Sequence, residues 1–421
     1  MNVKPTISPE ERTDVHPKSF WRNRDFVLLW GGQTVSSLGS SISNVASALL
    51  VLALSHSPSQ VAFITSVEAL PFFFLTLPVG ALVDQWNRKR VMFLCDLGRA
   101  VSLGSIAFAI VIGHLTLIQL YVVAVVEGSL ATIYNIAALA GIPRVVPKKQ
   151  LGQATSATYV SSNAVSLIGP PIGSFLFTVA RAVPFFADAL SYLASVASLL
   201  WMRTELQGKR DKSGRNVLHD LAINLVTGFT WMWKQPMLRF QALAGCIVSL
   251  ALYPTTPLAI ALVTQLHAPE ASVGIIFTIG ALGGLGGGLF GAWFQRKLPF
   301  GFIMISMFSL LALLFLGYLV APNIIWLGIV IALISLVESI GSIANVTYRL
   351  ALTPDDYQGR INSIHRFVGF GIGRPLGAAL LGVLLVSSGV NSAVLVFSGM
   401  LAVFALATLL YKPVRTMARL D

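Results

Sequence analysis

The chain has 421 residues, of which 55% are hydrophobic and only 11% are charged, and its mean hydropathy is +0.77. A soluble domain carries about a quarter charged residues, so the composition excludes an ordinary soluble protein and predicts an integral membrane protein. The net charge of +12 would favour nucleic-acid binding in a soluble protein, but the positions of the cations indicate membrane topology instead.

Apolar runs separated by short polar breaks predict twelve membrane-spanning helices and an all-α fold. Residues 1–24, which precede the first run, are polar and contain prolines, so no cleavable signal peptide is predicted. The expected spans are 26–54, 60–83, 91–112, 116–141, 153–179, 183–202, 240–264, 272–294, 300–320, 324–347, 363–386 and 391–411.

The cations are distributed unevenly across these spans. With the N-terminus inside, all but three of the 29 Lys and Arg residues fall on the cytoplasmic side, the exceptions being Arg99, Arg181 and Arg374. Cytoplasmic loops are enriched in Lys and Arg, and a shift of one span would reverse the distribution. We therefore expect both termini in the cytoplasm and the chain in the plasma or inner membrane, with the lipid bilayer and not nucleic acid as its surroundings.

A polar, basic loop of residues 80–90 joins the second and third spans. Glycine allows close approach of helix backbones, an acid is favoured at the N-terminal end of the next helix, and the cations keep the loop in the cytoplasm. A purely topogenic loop is the alternative to a conformational role. The residues concerned are Gly80, Asp84, Arg88, Lys89 and Arg90.

Charged residues within the spans require a partner, a proton or a water-filled cavity, because a charge at the bilayer centre costs about 2.5–3.5 kcal/mol on insertion scales. Six candidates fall within the spans: Glu68, Asp96, Arg99, Glu127, Glu338 and Arg374. Asp96 and Arg99 are spaced i, i+3, so we predict an intramembrane charge pair along one helix face, with a structural role.

Glu127 is the leading candidate for proton coupling. It lies near the middle of the fourth span with no cation within a helical turn, and burial without a partner favours the protonated form of a carboxyl group. The alternative is a protonated acid that is simply hydrogen-bonded inside the bundle. Glu68 and Glu338 are further candidates, either for coupling or for attracting a cationic solute, and Arg374 could bind an anionic solute or pair with one of these glutamates.

The chain divides into two similar halves. Residues 147–156 align without gaps with residues 354–363, and Gly169-Pro-Pro-Ile-Gly173 matches Gly373-Arg-Pro-Leu-Gly377. A duplicated six-span unit, with the solute site at the interface of the repeats, is a transporter architecture. The predicted organisation is a tail at 1–24, six-helix bundles at 25–203 and 240–411, a linker with an amphipathic helix at 204–239, and a tail at 412–421.

These features together resemble the major facilitator superfamily, over roughly residues 20–411. The loop at 80–90 is similar to the signature loop of that family, although Gln85 replaces a usual cation and Asn87 a usual glycine. Further segments are similar to the drug and siderophore exporter branch, typified by enterobactin exporters and macrolide efflux proteins. These segments are Asn23-Arg-Asp-Phe26, Trp30-Gly-Gly-Gln33, Leu70-Pro71 and Asp188-Ala-Leu-Ser-Tyr192.

The resemblance implies roles for the motif residues. In the family the signature acid helps to hold the cytoplasmic side closed, which implies that role for Asp84, while Arg88 and Arg90 would bridge neighbouring helices. Asn87 would tolerate a left-handed turn. The run Gly169, Pro170, Pro171 and Gly173 is similar to the antiporter motif of exporters, which implies a hinge; close packing by small residues is the alternative.

The functional prediction is a monomeric secondary transporter that exports a hydrophobic or amphipathic small molecule in exchange for protons. No phosphate-binding loop, metal-binding pattern or nucleophile motif is present in the sequence, so no enzyme, cofactor site or metal site is predicted. Uptake or facilitated diffusion of a metabolite is one alternative. A membrane sensor or assembly protein that keeps the fold without transport is another.

Overall fold

The computed structural model describes residues 20–83, 85–147, 150–206, 227, 229–269 and 271–415. Almost all of these residues are helical. Asp84 of the signature loop, most of the predicted amphipathic segment, residues 1–19 and residues 416–421 lie outside the described residues. Residues 229–234 at the end of that amphipathic segment are helical.

Six helices make up the first half, and their bounds agree with the predicted spans to within a few residues. Polar side chains start several of them: Asn23 accepts hydrogen bonds from the backbone N–H groups of Asp25 and Phe26, and Thr116 accepts one from Gln119. Such caps satisfy backbone donors that have no partner in the first turn. The helices are α1 (Arg24–Ser55), α2 (Pro58–Leu82), α3 (Arg88–Val111), α4 (Leu117–Val145), α5 (Leu151–Val179) and α6 (Val183–Trp201).

The second half contains more elements because two of its spans are interrupted. Its elements are α7 (Pro236–Leu252), α8 (Thr255–Gln265), α9 (Ser272–Lys297), α10 (Phe300–Leu316), α11 (Ile324–Leu352), α12 (Asp355–Arg366), a π-helical turn (Phe367–Ile372), α13 (Gly373–Ser387), α14 (Gly389–Leu410) and the short α15 (Lys412–Arg415). Eleven spans in the described part of the chain are long and apolar enough to cross a membrane, with α7–α8 and α12–α13 each counted as one. The shorter apolar helix α10 is the twelfth.

Helix packing repeats between the halves. In the first half, α1 packs against α5, α2 against α4, and α3 against α6. In the second half the corresponding pairs are α7 with α13, α9 with α11, and α10 with α14. The two halves meet along α2 and α13 and along α5 and α9, which are also equivalent pairs. This is the major facilitator fold that the sequence predicted.

The two interruptions of the second half lie near the middle of the membrane-spanning segments. Tyr253 and Pro254 separate α7 from α8, and the π-helical turn separates α12 from α13. Proline cannot donate a backbone hydrogen bond, so Pro254 and Pro257 prevent a continuous helix here. π-Helical turns within α-helices occur frequently at functional sites.

Candidate functional site: charged clusters at the middle of the helices

A buried polar cluster crosses four helices of the first half. Arg99 of α3 donates from Nε to Oε2 of Glu127 on α4 at 2.9 Å, and from Nη2 to the Ser40 hydroxyl on α1 at 3.3 Å. The guanidinium carbon lies 4.2 Å from the ring centroid of Tyr192 on α6. The Tyr192 hydroxyl contacts Ser40 at 2.8 Å and Glu127 Oε2 at 3.5 Å. We call Ser40, Arg99, Glu127 and Tyr192 the Arg99 cluster.

The structure corrects two predictions about this cluster. Arg99 does not pair with Asp96: neither carboxylate oxygen of the buried Asp96 accepts a hydrogen bond within 3.5 Å, although Ser195 lies nearby. Glu127 is not without a cation, because α3 brings Arg99 to it. Spacing along one helix cannot reveal a partner on another helix. Arg99 also contacts a hydroxyl on α1 and an aromatic ring on α6.

Asp188 occupies a second buried position beside the cluster. Its carboxylate accepts hydrogen bonds from Ser43 Oγ at 2.5 Å and from Ser191 Oγ at 2.9 Å. Asp188 is fully buried, whereas Arg181, in the loop that precedes α6, is exposed. Its contacts connect α6 to α1, so its role in the structure is to join these helices.

The remaining intramembrane charged residues form no direct ion pair with one another within the described chain. Glu68 of α2 lies within electrostatic range of Glu127, Arg99 and Arg374, but no described cation comes within 4.0 Å of its carboxylate. Arg374, near the start of α13, contacts aromatic rings. Glu338 of α11 is partly buried and makes no hydrogen bond or ion pair with a described residue.

The described part of the signature loop holds the ends of several helices together. Asn87 caps α3, because its side-chain oxygen accepts a hydrogen bond from the Arg90 N–H. The sequence suggested a left-handed turn at Asn87, but its backbone is extended, with a φ of −71°. Arg88 donates to the carbonyl oxygens of Ala140 and Leu206 at 2.8 and 3.3 Å. Lys89 donates to Met202 O at 2.6 Å, whereas the Arg90 side chain is exposed. An N-cap residue adopts extended backbone, which explains why Asn87 suits this position.

The glycines of the internal repeat occupy equivalent positions. A Cβ on Gly173 of α5 would collide with the carbonyl oxygen of Ile42 on α1. A Cβ on Gly377 of α13 would collide with the carbonyl oxygen of Leu250 on α7. Both glycines therefore permit close backbone approach at corresponding helix pairs. Pro170 and Pro171 lie within the α5 helix, and Gly169 contacts Ser41 of α1.

A small polar cavity lies between α1 and α5. Its enclosed volume is about 10 Å³, which is about the space of one water molecule and far below the roughly 300–1,000 Å³ of sites for drug-sized ligands, so we assign no solute to it. It is lined by Trp30, Gln33, Thr34, Ser37, Thr158, Ser161, Ser162 and Val165.

Comparison with known families agrees with this geometry. The family model of the Major Facilitator Superfamily matches residues 29–369 and, separately, residues 242–420. The chain belongs to the major facilitator superfamily. It is therefore a multi-pass membrane transporter and not an enzyme, as the sequence predicted.

Several relatives of this transporter are named as exporters. The enterobactin exporter EntS of Salmonella typhi is 25% identical over 391 residues, which cover 89% of this chain and 90% of that protein. The multidrug efflux pump Tap of Mycolicibacterium fortuitum is 24% identical over 394 residues, covering 90% and 94% of the two chains. The match to the transporter YfiS of Bacillus subtilis, 25% identical, spans only 55% of each chain.

Solved structures share the fold at lower identity. The nucleoside transporter NupG superposes with a TM-score of 0.72 at 13% identity, covering 92% of this transporter and 98% of that chain. A bacterial homolog of the human lysosomal transporter Spinster, in an inward-facing and unoccupied conformation, gives 0.71 at 16% identity, with coverage of 96% and 99%. These structures support the fold alone.

Two residues of the Arg99 cluster had no predicted role. Ser40 and Tyr192 were not among the candidate residues, although Tyr192 ends one of the segments that resemble exporters. A signal was available in α1, where small hydroxyl residues recur every three or four positions within an apolar span, at Ser36, Ser40 and Ser43. Such a stripe on a membrane helix indicates a polar interface with a neighbouring helix.

Proposed function

We propose that this transporter exports a hydrophobic or amphipathic small molecule in exchange for protons, by alternating access in the plasma or inner membrane. The observation that carries the proposal is the Arg99–Glu127 ion pair, buried near the middle of α3 and α4. Exporters aligned along nearly the whole chain support the outward direction. The proposal includes a monomer with both termini in the cytoplasm.

The geometry of the cluster suggests how a proton could be coupled to movement. Glu127 Oε1 is buried without a hydrogen-bond partner, so one oxygen of the carboxylate is available to a proton. Protonation removes the negative charge that faces Arg99 and weakens the ion pair. Of its direct contacts with described residues, Arg99 then keeps Ser40 on α1 and the Tyr192 ring on α6, with the Asp188 carboxylate within electrostatic range. Because these four helices belong to one half, the proton state of Glu127 alters packing within that half.

Other candidate residues take supporting roles in this proposal. Glu68 and Glu338 are the alternative proton carriers. Asp84, Arg88, Lys89 and Arg90, with Gly80 at the start of the loop, hold the cytoplasmic side closed. Flexing of α5 at Gly169, Pro170, Pro171 and Gly173 accompanies the change of access.

The proposal is tested by solute-driven proton movement in proteoliposomes that contain the purified protein and an interior pH dye. We expect proton flux with one class among macrolides, siderophores and cationic dyes, and loss of that flux in Glu127→Gln. Glu205→Gln, which changes an exposed acid in the same way, is the matched control and should behave as wild type. Solute movement without proton flux would favour a facilitator or importer, and silence with folded, inserted protein would favour the non-transporting alternative.

A further inference from the structure

Arg374 is a membrane-embedded cation whose described contacts are aromatic. Its guanidinium carbon lies 4.2 Å from the ring centroid of Phe370 and 5.1 Å from that of Tyr253. Within the described chain the guanidinium makes no hydrogen bond and no ion pair within 4.0 Å. A guanidinium has five N–H donors, and an unpaired cation inside a membrane is costly. These donors are therefore available to a ligand.

The backbone around Arg374 is irregular on both sides. Tyr253 lies at the break between α7 and α8, and Phe370 belongs to the π-helical turn. The N-terminal end of α8, at Thr255 and Thr256, carries the positive end of the helix dipole. Interrupted helices near the membrane midplane are typical of solute sites in transporters, and their N-terminal ends favour anionic groups.

The site lies at the interface between the two halves. The Ser66 hydroxyl of α2 donates to the Pro375 carbonyl oxygen at 2.8 Å, which places α2 directly against the residue after Arg374. The charged and titratable groups within electrostatic range of Arg374 are Glu68, Tyr253 and Arg366. Of these only Glu68, on α2, is an acid, and it lies beyond ion-pair distance.

Aromatic rings of α2 extend the apolar wall of the site. Phe72 lies edge-to-face with Phe370, with ring centroids 6.5 Å apart, and Phe73 stacks on Phe367 at 5.2 Å. Together with Tyr253 these rings offer flat surfaces beside a guanidinium. Such a surface suits an aromatic body attached to an acidic group.

We propose that Arg374 binds the anionic group of a flat, amphipathic solute, and that Glu68 is the counter-ion that this solute displaces. The inference rests on the proposed transport function and adds its substrate class. When the site is empty, Glu68 balances the charge of Arg374 at a distance. When an anionic solute occupies the guanidinium, Glu68 loses that balance, so the solute and the Glu68 carboxylate compete for the charge of Arg374.

The test compares two xanthene dyes of opposite charge, fluorescein and rhodamine 6G. Equilibrium binding is measured by fluorescence polarisation, with the full chain in nanodiscs of phosphatidylcholine, so that no anionic lipid competes. We expect Arg374→Gln to weaken fluorescein binding by about tenfold or more, the loss of one charge-assisted contact, and to leave rhodamine 6G unchanged. Arg22→Gln, which removes an exposed arginine, should leave both affinities unchanged.

Glu68→Gln should change the fluorescein affinity in the direction opposite to Arg374→Gln. Removing the competing carboxylate should tighten fluorescein binding several-fold. If Arg374→Gln does not insert into the membrane, the Glu68→Gln measurement alone tests the proposal. Equal fluorescein affinity in wild type and Arg374→Gln, including no measurable binding by either, would overturn the proposal. So would equal losses for both dyes, or weaker fluorescein binding in Glu68→Gln. Because binding is measured without a gradient, failure of proton-coupled transport leaves this readout intact.

Discussion

The Arg99–Glu127 pair illustrates how a single contact stabilises charges inside the membrane. The two side chains are only 11% and 13% exposed, and their atoms meet at 2.9 Å. Each charge offsets part of the desolvation cost of the other. Tyr192 and Ser40 contribute a ring face and a hydroxyl. Loss of either charge leaves the other buried without its direct ion-pair partner.

We therefore predict that removal of one partner destabilises the protein more than removal of both. Arg99→Gln should lower the free energy of unfolding by about 3 kcal/mol, as for other buried pairs that lose one member. The double variant with Glu127→Gln should recover part of this loss. A double-mutant cycle measured by chemical unfolding in detergent checks the prediction. Additive losses from the two substitutions would show that the pair is not coupled.

At this scale the sequence identified which residues carry charge in the membrane but not their partners. Glu68, Glu127 and Arg374 were found because an ionisable residue in an apolar span is rare. The partner of Arg99 depends on the rotation of α4 against α3, which composition does not encode. Asp96 at i−3 was the only partner that spacing could offer, and that prediction was wrong.

The helices of the two halves repeat a specific close contact. Gly173 on α5 and Gly377 on α13 each face a backbone carbonyl oxygen of a neighbouring helix, at Ile42 and Leu250. Small residues at helix contacts allow the backbones to pack tightly. The duplicated sequence thus corresponds to duplicated packing, and glycine is required at both positions for steric reasons.

Gly377→Ala should destabilise the protein, because the added methyl group overlaps backbone atoms that cannot move independently. Overpacking typically costs about 1–3 kcal/mol, more than the roughly 0.5–1 kcal/mol gained by replacing glycine in a helix. Gly399→Ala on α14 is the matched control, since nothing lies within 4 Å of its added Cβ. Thermal unfolding of the two variants should show a lower midpoint for the first only. Equal midpoints would contradict the steric account.

The spans were predicted well because each is a long apolar run between polar breaks. The run 240–264 contains a break at Tyr253 and Pro254, and the run 363–386 contains a π-helical turn. Neither interruption changes the average hydropathy of its span, so apolar composition cannot reveal it. Both were missed, although they border Arg374.

At the level of the whole molecule, the two halves meet through equivalent helices. The contacts of α2 with α13 and of α5 with α9 are related by the same repeat that relates the sequences. Rocking of one repeat against the other around a central site is the motion that such symmetry permits. The hydrogen bond from Ser66 to Pro375 and the Phe73–Phe367 stack cross one of these interfaces.

The fold and family followed from sequence because hydropathy, charge distribution and the repeat all agreed. The solute did not follow, since specificity depends on which side chains face the interface of the halves. Tyr253 and Phe370 become notable only when the folded chain brings their rings to Arg374.

The most direct test of proton coupling separates solute movement from energy input. Inside-out vesicles with an acidic lumen should accumulate whichever compound evokes proton movement, and the same vesicles without a gradient should exchange it for preloaded compound. We expect Glu127→Gln to keep exchange and to lose accumulation, because the solute path remains while the proton carrier is removed. Accumulation by Glu127→Gln at the wild-type rate would contradict the account.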